Sequence, residues 1–354
     1  MRVGKYILSE KKKPFLIAEI SANHSGSLSR AKEHILAAKE FGADAVKIQT
    51  YTADTMTIKS SSPDFFISHG KWKGQTLYEL YKKAETPFEW HKELFDFSKK
   101  NGVTLFSTPF DETAVDLLEK LKTPAYKIAS FELTDLPLIS YVSKTKKPIF
   151  MSTGMANKKE INESLQIIKK NGCKEILLFH CISEYPTLLP DTNLNMIKSL
   201  KKMYKNVLVG LSDHTIGNTA AIVATTLGVS AIEKHFTIDK KIKSEDSSFS
   251  IEPNELKELS SIISQVHKSL KDSKWERSSG EKKNKAFRRS IYYTKDLKKG
   301  TKLSQDNIRR IRPGFGMNPK EYPKLLGKEL TSDVKSGERV KTNHFKKKNL
   351  HNKH

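Results

Sequence analysis

The chain has 354 residues, enough for roughly two domains or for one large barrel with an appendage. Lys and Arg outnumber Asp and Glu by 63 to 40, a formal charge of +23 that points to anionic partners: nucleic acid, a lipid surface or phosphorylated metabolites. No apolar run approaches the ~20 residues of a membrane helix, the basic start MRVGKYILSEKKKPFLIAEI has no cleavage site, and Cys173 and Cys181 cannot build a disulfide framework, so a cytoplasmic protein with no membrane partner is expected.

From residue 14 to 270, short apolar runs rich in β-branched residues alternate with helical patterns. A strand over 15–22 (FLIAEISA) precedes a helix over 28–41. A second strand, 43–50 (ADAVKIQT), leads into the connection 51–86, longer than a barrel loop needs. It carries Phe65, Phe66, Trp72, Tyr78 and Tyr81 and reads as a structured lid. Next come a helix over 87–101, a strand over 103–110, a helix over 111–121, a strand over 125–130 and a weaker helix over 136–144. The series continues with strands over 148–153, 175–181, 206–213 and 231–238, separated by helices over 158–171, 194–204 and 218–227 and closed by one over 252–270. Such alternation implies parallel pairing, and eight units in this length fit an α/β fold of the (β/α)8 TIM barrel type over 1–270. The phosphate loop that marks the rival, a doubly wound open sheet, does not follow the first strand. The polar text DSKWERSSGEKKN reads as a linker over 271–286. Short β-type runs and the turn signals KKG, RPG and SGE predict a small β-rich domain over 287–346, before a basic tail at 347–354.

The positive charge is scattered, with no basic face interleaved with stacking aromatics and no reading helix, so no nucleic-acid partner is expected. In a barrel, chemistry sits at the carboxyl ends of the strands. Those ends carry Glu19, Lys47, Gln49, Tyr51, Thr108, Lys127, Ser130, Ser152, His180, Ser183, Tyr185, Ser212, Asp213, His214, Glu233 and His235. Lys47 and Lys127 interrupt apolar strands, and a lysine there is seldom buried without an anion. They read as inward-facing ligands for phosphate or carboxylate; an outer-wall placement, snorkelling past a helix, is the competing one. His214 and His235 end adjacent strands and could converge on one labile divalent ion such as Mn²⁺, Mg²⁺ or Zn²⁺, or be unrelated polar histidines.

The ordered set AEISANHSGS, DAVKIQTY, STPFD, AYKIAS, STGMA, EYPT, GLSDHT and EKHFTID, with RPGFG near the end, resembles the sialic acid synthase family over residues 14–345. The resemblance implies a TIM barrel, a linker and a small antifreeze-like (SAF) domain. It implies a domain-swapped homodimer in which that domain reaches over the partner's barrel. The implied reaction condenses phosphoenolpyruvate with the open-chain aldehyde of an acetamido sugar, giving a nonulosonic acid and phosphate. Four segments (ANHSG, GKWKGQTLYELYKKAETPFEWH, SEYPT and SEDSSFSIEP) resemble the branch whose acceptor is 2,4-diacetamido-2,4,6-trideoxy-L-altrose, rather than those that make N-acetylneuraminate or legionaminate.

By that resemblance Lys47, Thr108, Lys127, Ser130, Ser152 and Ser212 hold phosphoenolpyruvate, and His214 and His235 hold the metal that polarises the aldehyde. Glu19 would orient or deprotonate water and Glu233 would bind sugar hydroxyls, with Gln49, Tyr51, Tyr185 and Asp246 as further sugar contacts. Arg312, in IRPGFG, matches the residue that reaches the partner's site. Without the family, the same barrel admits a Schiff-base aldolase at Lys127, a basic nucleic-acid binder or a non-catalytic carbohydrate-binding protein.

Overall fold

A computed structural model describes residues 1–68, 70–270 and 275–345. The chain divides into two compact units, Met1–Lys271 and Asp272–His354. In the first, β1 (Arg2–Val3) and β2 (Tyr6–Ile7) form an antiparallel hairpin. Eight strands then follow: β3 (Phe15–Glu19), β4 (Ala45–Thr50), β5 (Thr104–Pro109), β6 (Tyr126–Ile128), β7 (Ile149–Ser152), β8 (Ile176–Cys181), β9 (Leu208–Asp213) and β10 (Ala231–His235). They close into a barrel with β10 paired to β3, every neighbouring pair parallel.

Period-two alternation sorts the side chains. One set faces helices: Leu16, Ala18, Val46, Ile48, Leu105, Val209, Leu211 and Ile232 pack with Ile35, Leu94, Leu256 and Ile263. The other set fills the interior, where Phe15, Ile17, Phe106, Phe150, Leu177 and Phe179 cluster with Val3 and Leu8 of the hairpin segment. Three rings stack through it, Phe106 on Phe150 at 5.3 Å and Phe150 on Phe179 at 5.7 Å between centroids. Gly210 makes room for this stack, because a Cβ there would sit 2.6 Å from the Phe179 ring. These apolar layers occupy the amino-terminal half of the barrel and leave its carboxyl end for polar groups.

The helices fall where periodicity predicts them, from Leu28–Glu40 to Pro253–Ser269, with Leu136–Lys144 unchanged and the others trimmed by a residue or two at their ends. The first strand stops at Glu19 instead of 22, because Ser21–His24 turns into a 3₁₀ helix. No helix among the described residues is long and apolar enough to cross a membrane.

The second unit has two paired strands, β11 (Ser290–Tyr293) and β12 (Ile308–Ile311), antiparallel. Isolated bridges such as Leu297 with Val334 and Leu330 with Phe345 supply the remaining sheet-like pairing. Its own core contains Ile291, Tyr293, Leu303, Ile308, Leu325, Leu330, Val334 and Val340. The predicted linker is partly helical: Ser278 and Glu281 form a reciprocal capping box that starts Ser279–Asn284 within the polar text. The linker's first residues, 271–274, and the basic tail at 347–354 lie outside the described residues.

Candidate active site

Register carries most of the polar residues to the carboxyl ends of the strands on the inner face, while His180 and Asp213 have the opposite parity and face outward, His180 bonding the Thr192 carbonyl and Asp213 pairing with Lys234. Lys47 and Lys127 point inward, where both ammonium groups reach the same Glu233 oxygen, so the outer-wall placement is excluded for both. Lys47 Nζ pairs with Glu19 Oε2 and lies 3.1 Å from both Glu233 Oε1 and Thr108 Oγ1. Lys127 Nζ reaches the same Glu233 oxygen at 2.8 Å and sits 5.1 Å from the Phe179 ring centroid, the top of the apolar stack. Ser212 Oγ is 3.4 Å from that oxygen. Two lysines thus share one carboxylate in a water-poor site.

The acids are pushed apart. Burial alone raises both, but at Glu233 the ammonium groups of Lys127 and Lys47 outweigh it and hold the carboxyl down to about 2. Glu19 rises to about 7, because burial, with Glu233 repelling, exceeds the attraction of Lys47. Burial opposes the charge on Lys47, yet Glu19 and Glu233 move it above the ordinary lysine range; at Lys127 burial prevails and its pKa falls. One carboxylate is therefore fixed as an anion and the other is poised to exchange a proton near neutrality.

Beside Lys127, the loops after β6, β7 and β8 form a cradle of donors. Gly154 N donates to Ser130 Oγ at 3.2 Å. Ser152 Oγ and Ser183 Oγ are buried with no hydrogen-bond partner among the described residues, and a Cβ on Gly154 would lie 2.7 Å from Ser130 Oγ. Unpaired buried hydroxyls cost stability unless something fills the cradle.

On the neighbouring side of the mouth, the His214 and His235 rings are 5.6 Å apart. His214 Nδ1 donates to the Ile182 carbonyl at 2.8 Å, which leaves Nε2 with the lone pair. His235 Nδ1 is buried without a hydrogen-bond partner, 3.9 Å from Asp246 Oδ2. Burial first, then His214 and Lys47, hold His235 well below the usual imidazole range, so it is neutral and able to ligate. Asp246 Oδ2 also accepts from Ala22 N at 3.3 Å. The orphaned nitrogen and the free imidazole face fit a divalent ion, while the described residues close no set of three or more His, Cys, Asp and Glu ligands.

Tyr185 lies over this pair, its ring 4.3 Å from His214 and 6.3 Å from His235. Tyr51 is buried between Tyr81 and Phe110, and burial followed by Asp246 raises its phenol. Gln49 is half-buried two residues beyond Lys47 on the same strand. Arg312 belongs to the second unit, where it is exposed, follows β12 and precedes a cis peptide bond to Pro313.

Three features escape a reading of strand ends. Ser183 is a strand-end polar residue whose part in the cradle shows only in its unpaired buried hydroxyl. Glu132, on the turn after β6, is pushed up to about 7 mainly by burial. Lys234 occupies the outer wall and pairs with Asp213 at 2.6 Å, also donating to the Thr215 carbonyl at 2.7 Å. Both side chains are 1% exposed, so the pair clamps the ends of β9 and β10 on which His214 and His235 ride.

A closed parallel barrel whose carboxyl-end mouth holds buried lysines, carboxylates of divergent pKa and a histidine pair is the architecture of a barrel enzyme's active site. The NeuB family model matches residues 34–275 and the SAF domain model residues 288–346, and the chain belongs to the NeuB family. A "Pseudaminic acid synthase" of Campylobacter jejuni is 44% identical over 345 residues, covering 98% of this chain and all of the relative. A Helicobacter pylori protein of the same name is 42% identical over 324 residues, covering 91% and 95%. Among solved structures, the N-acetylneuraminic acid (sialic acid) synthetase of Leptospira borgpetersenii, in complex with citrate, superposes with a TM-score of 0.71 at 29% identity, covering 80% of this chain and 94% of that one.

Proposed function

We propose that the chain condenses phosphoenolpyruvate with 2,4-diacetamido-2,4,6-trideoxy-L-altrose, as its open-chain aldehyde, to give pseudaminic acid and phosphate. The observation that carries this reading is the pair of buried lysines sharing one Glu233 oxygen beside the buried, unpaired hydroxyls of Ser152 and Ser183. A small dianion entering there gains both ammonium groups and the donors of Thr108, Ser130, Ser152 and Ser212. The names of the two relatives support the choice of sugar, as do the four segments noted above.

The reaction follows from these placements. Lys47, Lys127 and the hydroxyl cradle hold the phosphate and carboxylate of phosphoenolpyruvate. The sugar lies outward of it, against Gln49, Tyr51, Tyr185 and Asp246. His214 and His235 would hold a divalent ion such as Mn²⁺ or Mg²⁺, which would supply Lewis-acid polarisation of the aldehyde oxygen. The enol carbon attacks the aldehyde carbon, and the new alkoxide takes up a proton. Water then adds to the cationic carbon left behind, losing its proton to Glu19, and the tetrahedral adduct expels phosphate through C–O cleavage. Glu233 stays ionised, holding the lysines through Oε1 while its buried, unpartnered Oε2 accepts from a sugar hydroxyl.

We read Arg312 as completing the sugar site of a second copy in a homodimer; the family resemblance supports this. A cytoplasmic setting accords with two free, buried cysteines. The test is phosphate release with phosphoenolpyruvate and Mn²⁺, comparing the diacetamido-trideoxy-altrose with N-acetylmannosamine. Release that needs both substrates and favours the diacetamido sugar is expected. Release from phosphoenolpyruvate alone, or preference for N-acetylmannosamine, overturns the reading.

A further inference from the structure

Beyond Tyr51, the connection between β4 and the helix Phe88–Lys100 has no part in the chemistry above, yet it is tied to the barrel mouth at several points. Thr86 Oγ1 lies 3.2 Å from His24 Nε2, and Tyr81 packs on Tyr51 at 5.9 Å. Lys71 Nζ donates to the Glu245 carbonyl and sits 5.2 Å from the centroid of the Phe249 ring. The Trp72 ring lies 6.3 Å from that of Tyr185. Tyr185 and Phe249 in turn touch His214 and His235, at 4.3 Å and 5.0 Å. Trp72, Tyr185 and Phe249 therefore form an aromatic rim one shell outward of the imidazoles.

Within that rim Trp72 Nε1 is buried and donates to no described residue. An indole N–H is a donor only, so its desolvation is offset only when an acceptor arrives. The chemistry of the rim selects the acceptor. An anion would be repelled by the Asp246 and Glu245 carboxylates, whose charges already act on the Lys71 ammonium. A bare hydroxyl would leave three ring surfaces unmatched. An acetamido group is flat and neutral, with one strong acceptor oxygen and a methyl that packs on aromatic faces.

We propose that Trp72 is a sugar-recognition residue, donating its N–H to the carbonyl oxygen of an acetamido group while the rings of Trp72, Tyr185 and Phe249 enclose that group's methyl. This rests on the synthase reading and assigns the long connection a share in acceptor choice. The test compares wild type with Trp72→Phe, which keeps a ring and deletes the donor. Loss of a neutral hydrogen bond predicts a fall in kcat/KM for the diacetamido sugar of about five- to tenfold. KM for phosphoenolpyruvate should stay within twofold, which also reports an intact barrel. Analogues with a free amine in place of one acetamido group give a second readout. On the analogue lacking the contacted acetyl group, wild type and Trp72→Phe should be equal. If wild type turns over the diacetamido sugar and Trp72→Phe matches it within twofold, the inference falls and the synthase reading stands. Equal losses for both substrates, or a Trp72→Phe penalty undiminished on every analogue, also overturn it. Failure of wild type to turn over any acetamido sugar removes both.

Discussion

Glu19→Gln separates the proposed proton-exchanging acid from its surroundings. The Glu19 carboxyl rises from an ordinary 4.5 to about 7, so the native state binds its proton more tightly than the unfolded chain does. Between those two values the native state holds more protons, and stability must fall as pH rises. The full shift is worth about 3 kcal/mol, present as relative stability below pH 4.5 and lost by the time pH passes about 7. Glutamine imitates the protonated form and still accepts from Ser21 N, which bonds Glu19 Oε1 at 2.7 Å. Urea unfolding at pH 5 and at pH 8 should therefore show the variant gaining about 3 kcal/mol on wild type between the two conditions. At the same time kcat should fall about a hundred- to ten-thousandfold, as expected for loss of a general base. A stability difference that does not change with pH would refute the reasoning about Glu19, and near-wild-type kcat would refute its role.

Gly154→Ala places a Cβ 2.7 Å from Ser130 Oγ and should weaken phosphoenolpyruvate binding at least about tenfold by calorimetry; an unchanged Kd would show that the cradle is not the anion site. Lys234→Met strands Asp213 in a dry environment and should cost about 3–5 kcal/mol in chemical denaturation, part of it recovered by adding Asp213→Asn. A cost below about 1 kcal/mol would mean the pair clamps nothing. Arg312→Ala should raise KM for the sugar far more than KM for phosphoenolpyruvate, and equal effects would remove Arg312 from sugar recognition.

Much of this site is legible because strand alternation is strict. Lys47 and Lys127 share a parity with the alanines Ala45 and Ala125, which face the barrel interior, and that parity alone sets both lysines inward. The same rule gives Glu19, Ser152, Ser212, Glu233 and His235 a common mouth. What stayed hidden depends on contacts between distant segments. Lys234 lies between two inward residues, so alternation sends it outward, but nothing local says that Asp213 waits there to bury it. Trp72 and Ser183 gain meaning only from an unpaired atom, which is a property of the packed fold. The helix Ser279–Asn284 was obscured by its polarity, since a short capped helix without an apolar stripe looks like a linker.

The central claim is that an enolpyruvyl dianion sits between two inward lysines next to a histidine pair that grips a divalent ion. A crystal soaked with phosphoenolpyruvate and Mn²⁺ tests it most directly. Density for the substrate touching Lys47, Lys127 and the Ser130–Ser152 cradle, with an anomalous manganese peak between His214 and His235, is the predicted result. Phosphoenolpyruvate bound elsewhere, with the Lys47–Glu233–Lys127 cluster undisturbed and no manganese at the imidazoles, would contradict the account.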